Sequence, residues 1–156
     1  MSNQPLVSKL FAAFASDIEA TPPISLRGGD LLDDYKGPSE FDPSIDSISD
    51  GYLEKHYWGV TYLDAASWRH YLPYLIEYTF RHMHDGSNVG DALLNSLRPP
   101  DREPPRLASL NAEQEVLVTQ FLDALAFGDQ SAHQEFACQV LEEWWVPGAL
   151  YRGVAK

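Results

Sequence analysis

The sequence predicts an all-α protein, a single-domain irregular helical bundle of about five helices with a long acidic loop near its N-terminus. Apolar residues recur at the three- and four-residue spacing of a helix in several segments, whereas no segment shows the alternation of a confident strand. Residues typical of helix starts and stops bracket these segments. A chain of 156 residues has the usual length of one domain, so residues 1–156 are expected to form one helical unit.

The N-terminal part of the chain predicts one helix followed by the acidic loop. The helix is expected over residues 5–20, because Pro5 suits the first helical position and an apolar stripe follows it. Two prolines and two glycines then end the helical pattern. Residues 30–52 contain six aspartates and several turn-forming pairs, so they are expected to form a long, turn-rich connection. A short helix is expected over residues 52–57.

The central segment predicts the main helix, over residues 65–84. Asp64 is a favourable N-cap, and a glycine two residues beyond the segment supplies a stop. Leu75 is at the centre of a broad apolar face that also holds His82, which we expect to be a core histidine. Pro73 interrupts the hydrogen-bonding pattern, so a kink or a restart is expected there. The opposite, solvent-facing side is expected to carry His70, Glu77, Arg81 and His84.

The C-terminal half predicts three more helices and a proline-rich linker. A helix over residues 89–97 is expected to be capped by Asn88. After the linker, the next helix opens at Asn111, has Gln114 at the capping-box position and ends at a glycine. The last helix is expected over residues 131–145, where a Pro-Gly pair soon follows. The predicted core centres on Leu72, Leu75, Thr79, Leu117, Phe121 and Val140.

The charge of the chain narrows the classes of partner. The formal net charge is −12, from 23 acidic and 11 basic residues, and such a surface repels phosphate backbones, which argues against nucleic-acid binding. No apolar run is long enough to span a membrane. The single cysteine and the lack of a secretory signal pattern favour a cytoplasmic location. An acidic surface also speeds encounter with a basic partner.

The sequence gives no indication of a metal, a cofactor or a catalytic centre. His82 and His84 are two residues apart, so on a helix they point in nearly opposite directions, whereas zinc ligands on one helix are spaced by three or four. The aspartate-rich loop resembles a calcium loop but has Ser47 and Leu53 where glycine and glutamate are needed. No glycine-rich phosphate loop or nucleophile motif is present. We therefore expect no bound metal and no cofactor.

The leading functional hypothesis is a protein-binding module of the immunity or inhibitor type. Trp144 and Trp145 diverge by about 100° on the last helix, so at most one is expected to be buried. Trp144 continues the apolar stripe of that helix, which leaves Trp145 as the expected exposed anchor for a partner. The candidate partner-binding residues are Trp144, Trp145, Asp42, Asp46 and Asp50.

The alternative hypothesis is a small-molecule enzyme or ligand-binding protein. Its pocket would lie between the helix that contains Pro73 and the loop at residues 30–52. The candidate residues for this pocket are Arg69, His70, Asp33 and Asp34. A pocket that holds these side chains would favour the alternative, whereas a flat acidic face beside the tryptophans would favour the protein-binding hypothesis.

Roughly half of the chain, residues 52–127, resembles an uncharacterised bacterial family of unknown function. The resemblance rests on an Ala-x-aromatic-Arg-x-Tyr-Leu-Pro core, a Leu-rich linker with Pro-Pro, and a Gln-containing helix that ends in Phe-Leu. The matching residues are Ala66, Trp68, Arg69, Tyr71, Leu72, Pro73, Pro99, Pro100, Gln114, Phe121 and Leu122. The resemblance implies a small helical protein and implies no activity, so it assigns no catalytic residue.

Overall fold

The computed structural model describes residues 3–33, 40–101, 105–129 and 131–152, except for the side chain of Asp33. Within these ranges the chain is helical and contains no strand, as the sequence predicts. The eight α-helices of the described residues are α1 (Gln4–Ala13), α2 (Ala15–Glu19), α3 (Leu26–Asp33), α4 (Asp50–His56), α5 (Ala65–Arg81), α6 (Asn88–Ser96), α7 (Ala112–Phe127) and α8 (Gln134–Val140). Two 3₁₀ segments, Tyr57–Tyr62 and Leu107–Ser109, and a π turn, Leu141–Trp145, complete the architecture. None of the described helices is long and apolar enough to cross a membrane.

Helix α5 is the central element of a single hydrophobic core. It packs against α1, α2 and α6, while α7 packs against α1 and α8. Trp68 and Tyr71 of α5 are fully buried, and Phe80 meets Phe121 of α7 edge to face at 5.1 Å between ring centroids. The predicted core is confirmed, since all of the following residues are buried: Leu72, Leu75, Thr79, Leu117, Phe121 and Val140.

The sequence predicts that His70 lies on the solvent-facing side of α5, and this prediction is wrong. His70 is 8% exposed, and Phe80, at the edge of the same side, is also buried. His70 is covered by α2, where its Nδ1 lies 3.0 Å from the carbonyl oxygen of Asp17, while Phe80 packs on Phe121 of α7. Helix α5 is therefore enclosed on more than one face, as a helix with apolar residues around most of its circumference tends to be. The prediction that His82 is a core histidine is also wrong. His82 follows the last turn of α5 and is partly exposed, and its ring stacks on that of Tyr78 with 4.2 Å between centroids.

The N-terminal third contains more helix than the sequence predicts. The helix expected over residues 5–20 is two helices, α1 and α2, which meet at the fully buried Phe14. Helix α3 begins where a break was expected and takes up the start of the predicted loop. One local and one tertiary hydrogen bond stabilise it despite its glycines. The Ser25 hydroxyl, just before the helix, accepts from the Gly28 amide at 2.8 Å, and the Tyr71 hydroxyl of α5 accepts from the Leu26 amide at 3.1 Å.

Two glycines allow α3 to pack directly on the 3₁₀ segment Tyr57–Tyr62. A Cβ atom on Gly29 would lie 2.4 Å from the carbonyl oxygen of Gly59, and a Cβ on Gly59 would lie 2.2 Å from the carbonyl oxygen of Leu26. Both distances are far below van der Waals contact, and both obstacles are backbone atoms. Main chain therefore meets main chain at this junction, which only glycine permits.

Local capping residues set the limits of the later helices. Asp64 caps α5 as predicted, since its carboxylate accepts a hydrogen bond from the Ser67 amide at 3.2 Å. The capping box of Asn111 and Gln114 at the start of α7 is confirmed. The predicted cap of α6 is wrong by one residue, because the hydroxyl of Ser87, not Asn88, accepts the hydrogen bond from the Gly90 amide.

Gln114 also joins the N-terminal helices to α7. Its side-chain amide donates to the carbonyl oxygen of Ala13 at 3.1 Å and to Oδ2 of Asp17 at 3.0 Å. The other oxygen of Asp17 accepts a hydrogen bond from Nε of Arg69 at 3.0 Å. The ends of α1 and α2 are thereby fixed to α5 and α7, which lie far along the chain.

Candidate functional site

The described part of the acidic loop is organised around a buried carboxylate. Asp46 is 1% exposed, and its oxygens accept hydrogen bonds from Nε and Nη2 of Arg27 at 3.0 and 3.1 Å. The Tyr52 hydroxyl donates to Asp46 at 2.8 Å, and the Asp42 amide donates to it at 2.7 Å. Asp46 therefore joins α3, the loop and α4, and its carboxylate is not available to a partner.

Hydrogen bonds also determine the charge state of the three candidate aspartates. Burial alone would raise the pKa of Asp46, but the hydrogen bonds from Arg27, the Asp42 amide and Tyr52 outweigh it and lower the pKa below its usual value. Hydrogen bonds from Ser44 lower the pKa of the exposed Asp42. Hydrogen bonds from Arg81 lower the pKa of Asp50. All three side chains are thus held in the ionised form, and two of them are in ion pairs within the chain.

The residues proposed for a small-molecule pocket are arranged around Asp17. Arg69 forms an ion pair with the Asp17 carboxylate, and Nδ1 of His70 lies 3.0 Å from the Asp17 carbonyl oxygen. The ring of His70 also meets Phe41 of the loop, with 6.4 Å between centroids. The side chain of Asp33 and all of Asp34 lie outside the described residues. Arg69 and His70 therefore connect α2 to α5, which accounts for both side chains structurally.

The π turn at the end of α8 reverses the predicted orientation of the two tryptophans. The Val146 amide donates to the carbonyl oxygen of Leu141, five residues earlier, at 3.2 Å. The wider turn changes the angular position of the residues within it relative to an α-helix. Trp145 is consequently 5% exposed, and its Nε1 donates to the carbonyl oxygen of Leu97 at 2.9 Å. Trp144, which the sequence assigns to the buried stripe, is partly exposed.

Trp144 is part of a groove of about 590 Å³ with a predominantly apolar lining, called the Trp144 groove below. One wall is the Pro99-Pro100 segment after α6, and another is Tyr151, which is 57% exposed. The preceding Leu150 is also exposed, at 63%. The residues that line the groove are Arg98, Pro99, Pro100, Asp101, Glu143, Trp144 and Tyr151.

Ion pairs fix the position of the charged residues of the Trp144 groove. Arg98 donates from Nε and Nη2 to the two oxygens of Glu143, at 2.8 and 2.7 Å, in a bidentate pair. Hydrogen bonding from Arg98 lowers the pKa of Glu143, and the pair raises the pKa of Arg98. Arg152 covers the ring of Trp144 at 5.0 Å and pairs with Glu115 at 2.6 Å. The groove is therefore pre-formed, and its Arg98 and Glu143 neutralise each other, as do Arg152 and Glu115 beside it.

Most of this groove cannot be predicted from the sequence. The Pro-Pro segment has the pattern of a linker, and no pattern distinguishes Tyr151 as a binding residue. The signal that could have found them is the concentration of aromatic and proline residues in two short segments, but nothing in the spacing shows that these segments meet. Among the described residues, no group of three or more His, Cys, Asp or Glu side chains is placed to hold a metal ion.

Comparison with known protein families places most of the chain in one of them. Residues 3–149 match the family of unknown function DUF6714. The match covers most of the chain, including the N-terminal helices that the sequence resemblance did not reach. No curated protein and no solved structure matches the chain.

Proposed function

The chain belongs to the family of unknown function DUF6714, and we propose that it is a protein-binding module whose Trp144 groove receives an apolar side chain of a basic partner. The observation that carries the proposal is the partly exposed Trp144 in a pre-formed apolar groove, on a chain with a net charge of −12. Tryptophan and tyrosine are the residue types that contribute most often to binding hot spots.

The groove and the charge of the chain have different roles in this proposal. The ion pairs of Arg98 with Glu143 and of Arg152 with Glu115 leave the groove locally balanced, so apolar contact with Trp144 and Tyr151 would supply the affinity. In the chain as a whole, acidic residues outnumber basic residues. This excess negative charge would attract a basic surface and raise the association rate. The partner expected from this combination is a basic protein with an exposed proline or aliphatic side chain.

Masking of a basic toxin or enzyme is the specific form of binding that we propose. An immunity protein or inhibitor has to find its target quickly and remain bound, which requires both electrostatic attraction and a buried apolar anchor. The exposed Asp42 of the loop would contribute to the attraction at long range, and Asp50, at the start of α4, would contribute less because it is paired with Arg81. Asp46 and Trp145 would contribute only indirectly, because both are buried and support the surrounding structure.

Replacement of Trp144 by alanine should weaken partner binding by about 30-fold, because a hot-spot side chain is worth about 2 kcal/mol or more. The matched control is Phe127→Ala, which removes another large aromatic side chain, 73% exposed at the end of α7 and outside the groove. Each form of the protein would be used to capture proteins from the host lysate at low and at high salt. The captured protein would then be purified, and its direct binding would be measured by titration calorimetry.

The proposal requires that the captured partner is a basic protein. The wild type and Phe127→Ala should bind it with equal affinity, and Trp144→Ala should bind it weakly. The association rate should fall as the salt concentration rises. Circular dichroism would establish that both variants remain folded. Equal affinity of all three forms for the purified partner would reject the groove as the binding site. An acidic partner whose binding is indifferent to salt would reject the role of the charge.

A further inference from the structure

A second pocket, called the Tyr57 pocket below, lies on elements that the Trp144 groove does not use. It has a volume of about 480 Å³, within the usual range of about 300–1,000 Å³ for small-molecule sites. Its walls come from α4, the start of the 3₁₀ segment, α5, the N-terminal turn of α6 and the segment before α8. The residues that line it are Glu54, Tyr57, Tyr78, Gly86, Ser87, Asn88, Val89, Asp91, Ala132 and His133.

Two carboxylates of the Tyr57 pocket form no ion pair with a lysine or arginine of the described residues. Glu54 accepts one hydrogen bond, from the Tyr78 hydroxyl at 2.6 Å, and forms no ion pair with any described lysine or arginine. Among the described residues, the ion-pair partner of the Asp91 carboxylate is His133, whose Nδ1 lies at 3.5 Å. By contrast, Asp46 and Glu143 are each paired with an arginine. The Tyr57 pocket therefore presents two carboxylates that no described lysine or arginine neutralises.

The hydrogen bond from Tyr78 fixes the position of Glu54. Burial raises the pKa of Tyr78 to about 12, with a further contribution from the hydrogen bond to Glu54, so the hydroxyl stays protonated at neutral pH and donates. This hydrogen bond uses Oε2 of Glu54 and leaves Oε1 without a donor among the residues that the structure describes. The free oxygen can accept a hydrogen bond from a ligand, while Tyr57 supplies an apolar wall.

A buried histidine forms one wall of the pocket beside the carboxylates. His133 is 4% exposed, and its Nε2 has no hydrogen-bond partner. The ring packs so closely on α6 that a Cβ atom on Gly90 would lie 2.8 Å from Nε2. An unpaired polar atom inside a protein is costly and uncommon. Here it belongs to a ring that lines the pocket and lies next to Asp91.

The sign of the charge in the pocket selects a cation over an anion. The N-terminus of α6 carries a positive partial charge of about one half, which alone would favour an anion. Two carboxylates carry two full negative charges, and one of them, Asp91, lies in the first turn of the same helix. The carboxylates therefore outweigh the helix terminus.

We propose that the Tyr57 pocket binds a small organic cation, an alkylammonium or guanidinium compound. Its charged group would be held by Glu54 and Asp91, and its carbon chain would pack against Tyr57. This site is separate from the proposed protein-binding surface and does not depend on it.

The test measures binding of putrescine and agmatine, which carry alkylammonium and guanidinium groups, by calorimetry and by NMR chemical shifts. 1,4-Butanediol serves as the uncharged analogue of putrescine, inorganic phosphate as the anion, and a blocked lysine peptide as the stand-in for a partner protein. The variants are Glu54→Gln and Asp91→Asn, which keep side-chain shape and remove charge. The matched control is Asp123→Asn, which removes an exposed carboxylate on α7, outside the pocket.

At least one of the two cations should bind with a dissociation constant of about 1 mM or tighter, with shifts at Tyr57 and Asp91. Each pocket variant should weaken that binding about 10-fold, the loss expected for one charged hydrogen bond, and Asp123→Asn should not. The proposal is overturned if neither cation binds, or if 1,4-butanediol or phosphate binds as well as the cations. Equal binding by the pocket variants, or tighter binding of the lysine peptide than of either small cation, also overturns it.

Discussion

Gly59→Ala should destabilise the protein by about 4 kcal/mol, a large part of the total stability of a typical domain. The added methyl group would lie 2.2 Å from the carbonyl oxygen of Leu26 and 2.7 Å from the amide nitrogen of Asp30. A side chain can rotate away from such an overlap, but these atoms belong to the backbone of α3. Helix α3 would have to move away from the 3₁₀ segment, and its contacts there would be lost.

The matched control for this substitution is Gly51→Ala. Gly51 is exposed in α4, and a Cβ atom there would have its nearest neighbour at 4.0 Å. Alanine favours helix over glycine by up to about 1 kcal/mol, so this variant should be neutral or slightly more stable. The measurement is the free energy of unfolding from urea titration. A loss below about 1 kcal/mol for Gly59→Ala would show that α3 does not pack as closely as the structure indicates.

Asp46→Asn should cost about 3–4 kcal/mol at neutral pH. The substitution keeps the shape of the side chain but leaves the guanidinium of Arg27, which is 19% exposed, without its counter-charge. Loss of one member of a buried ion pair is destabilising because the remaining charge has lost its solvent and its partner. The control is Asp50→Asn, in a pair with Arg81 where both side chains are nearly half exposed, and it should cost less than about 1 kcal/mol.

The effect of Asp46→Asn should depend on pH in a defined direction. The pKa of Asp46 is lower in the folded protein than its ordinary value, so its ionised form stabilises the fold. That contribution is complete above the unfolded pKa of about 3.9 and disappears as pH falls through the folded pKa. Unfolding free energies of wild type and Asp46→Asn should therefore differ at pH 7 and converge as the solution becomes strongly acidic. A difference independent of pH would mean that the carboxylate charge has no stabilising role.

Local signals were sufficient to predict the long helices and the core. The spacing around Leu75 and the caps Asp64 and Asn111 are properties of neighbouring residues, and the structure confirms them. Helix α3 could not be predicted in this way, because its glycines disfavour a helix locally. It is stabilised by Tyr71 and by the backbone at Gly59, both more than 25 residues away in the sequence.

The candidate sites were predicted less well than the core because they depend on tertiary geometry. The sequence groups Asp42, Asp46 and Asp50 by their proximity along the chain. Tertiary contacts separate them, because Arg27 pairs with the buried Asp46 and Arg81 with the half-exposed Asp50. A fixed angle of about 100° per residue assigned the tryptophans to the wrong sides, since a π turn changes the phase of the helix by the time it reaches Trp145. The Tyr57 pocket joins residues from four parts of the chain, and no motif marks it.

The link from Gln114 to α1 and α2 has a consequence for synthesis of the protein on the ribosome. The Gln114 side chain and the carbonyl oxygen of Ala13 are separated by 101 residues, so the N-terminal helices are made long before their partner in α7 exists. At about 5–20 residues per second, that interval is about 5–20 s. During this time Leu10 and Phe14, which are fully buried in the finished protein, have no α7 to cover them. These apolar side chains are therefore uncovered by α7 on the nascent chain, and this part of the fold cannot be completed until α7 has been translated.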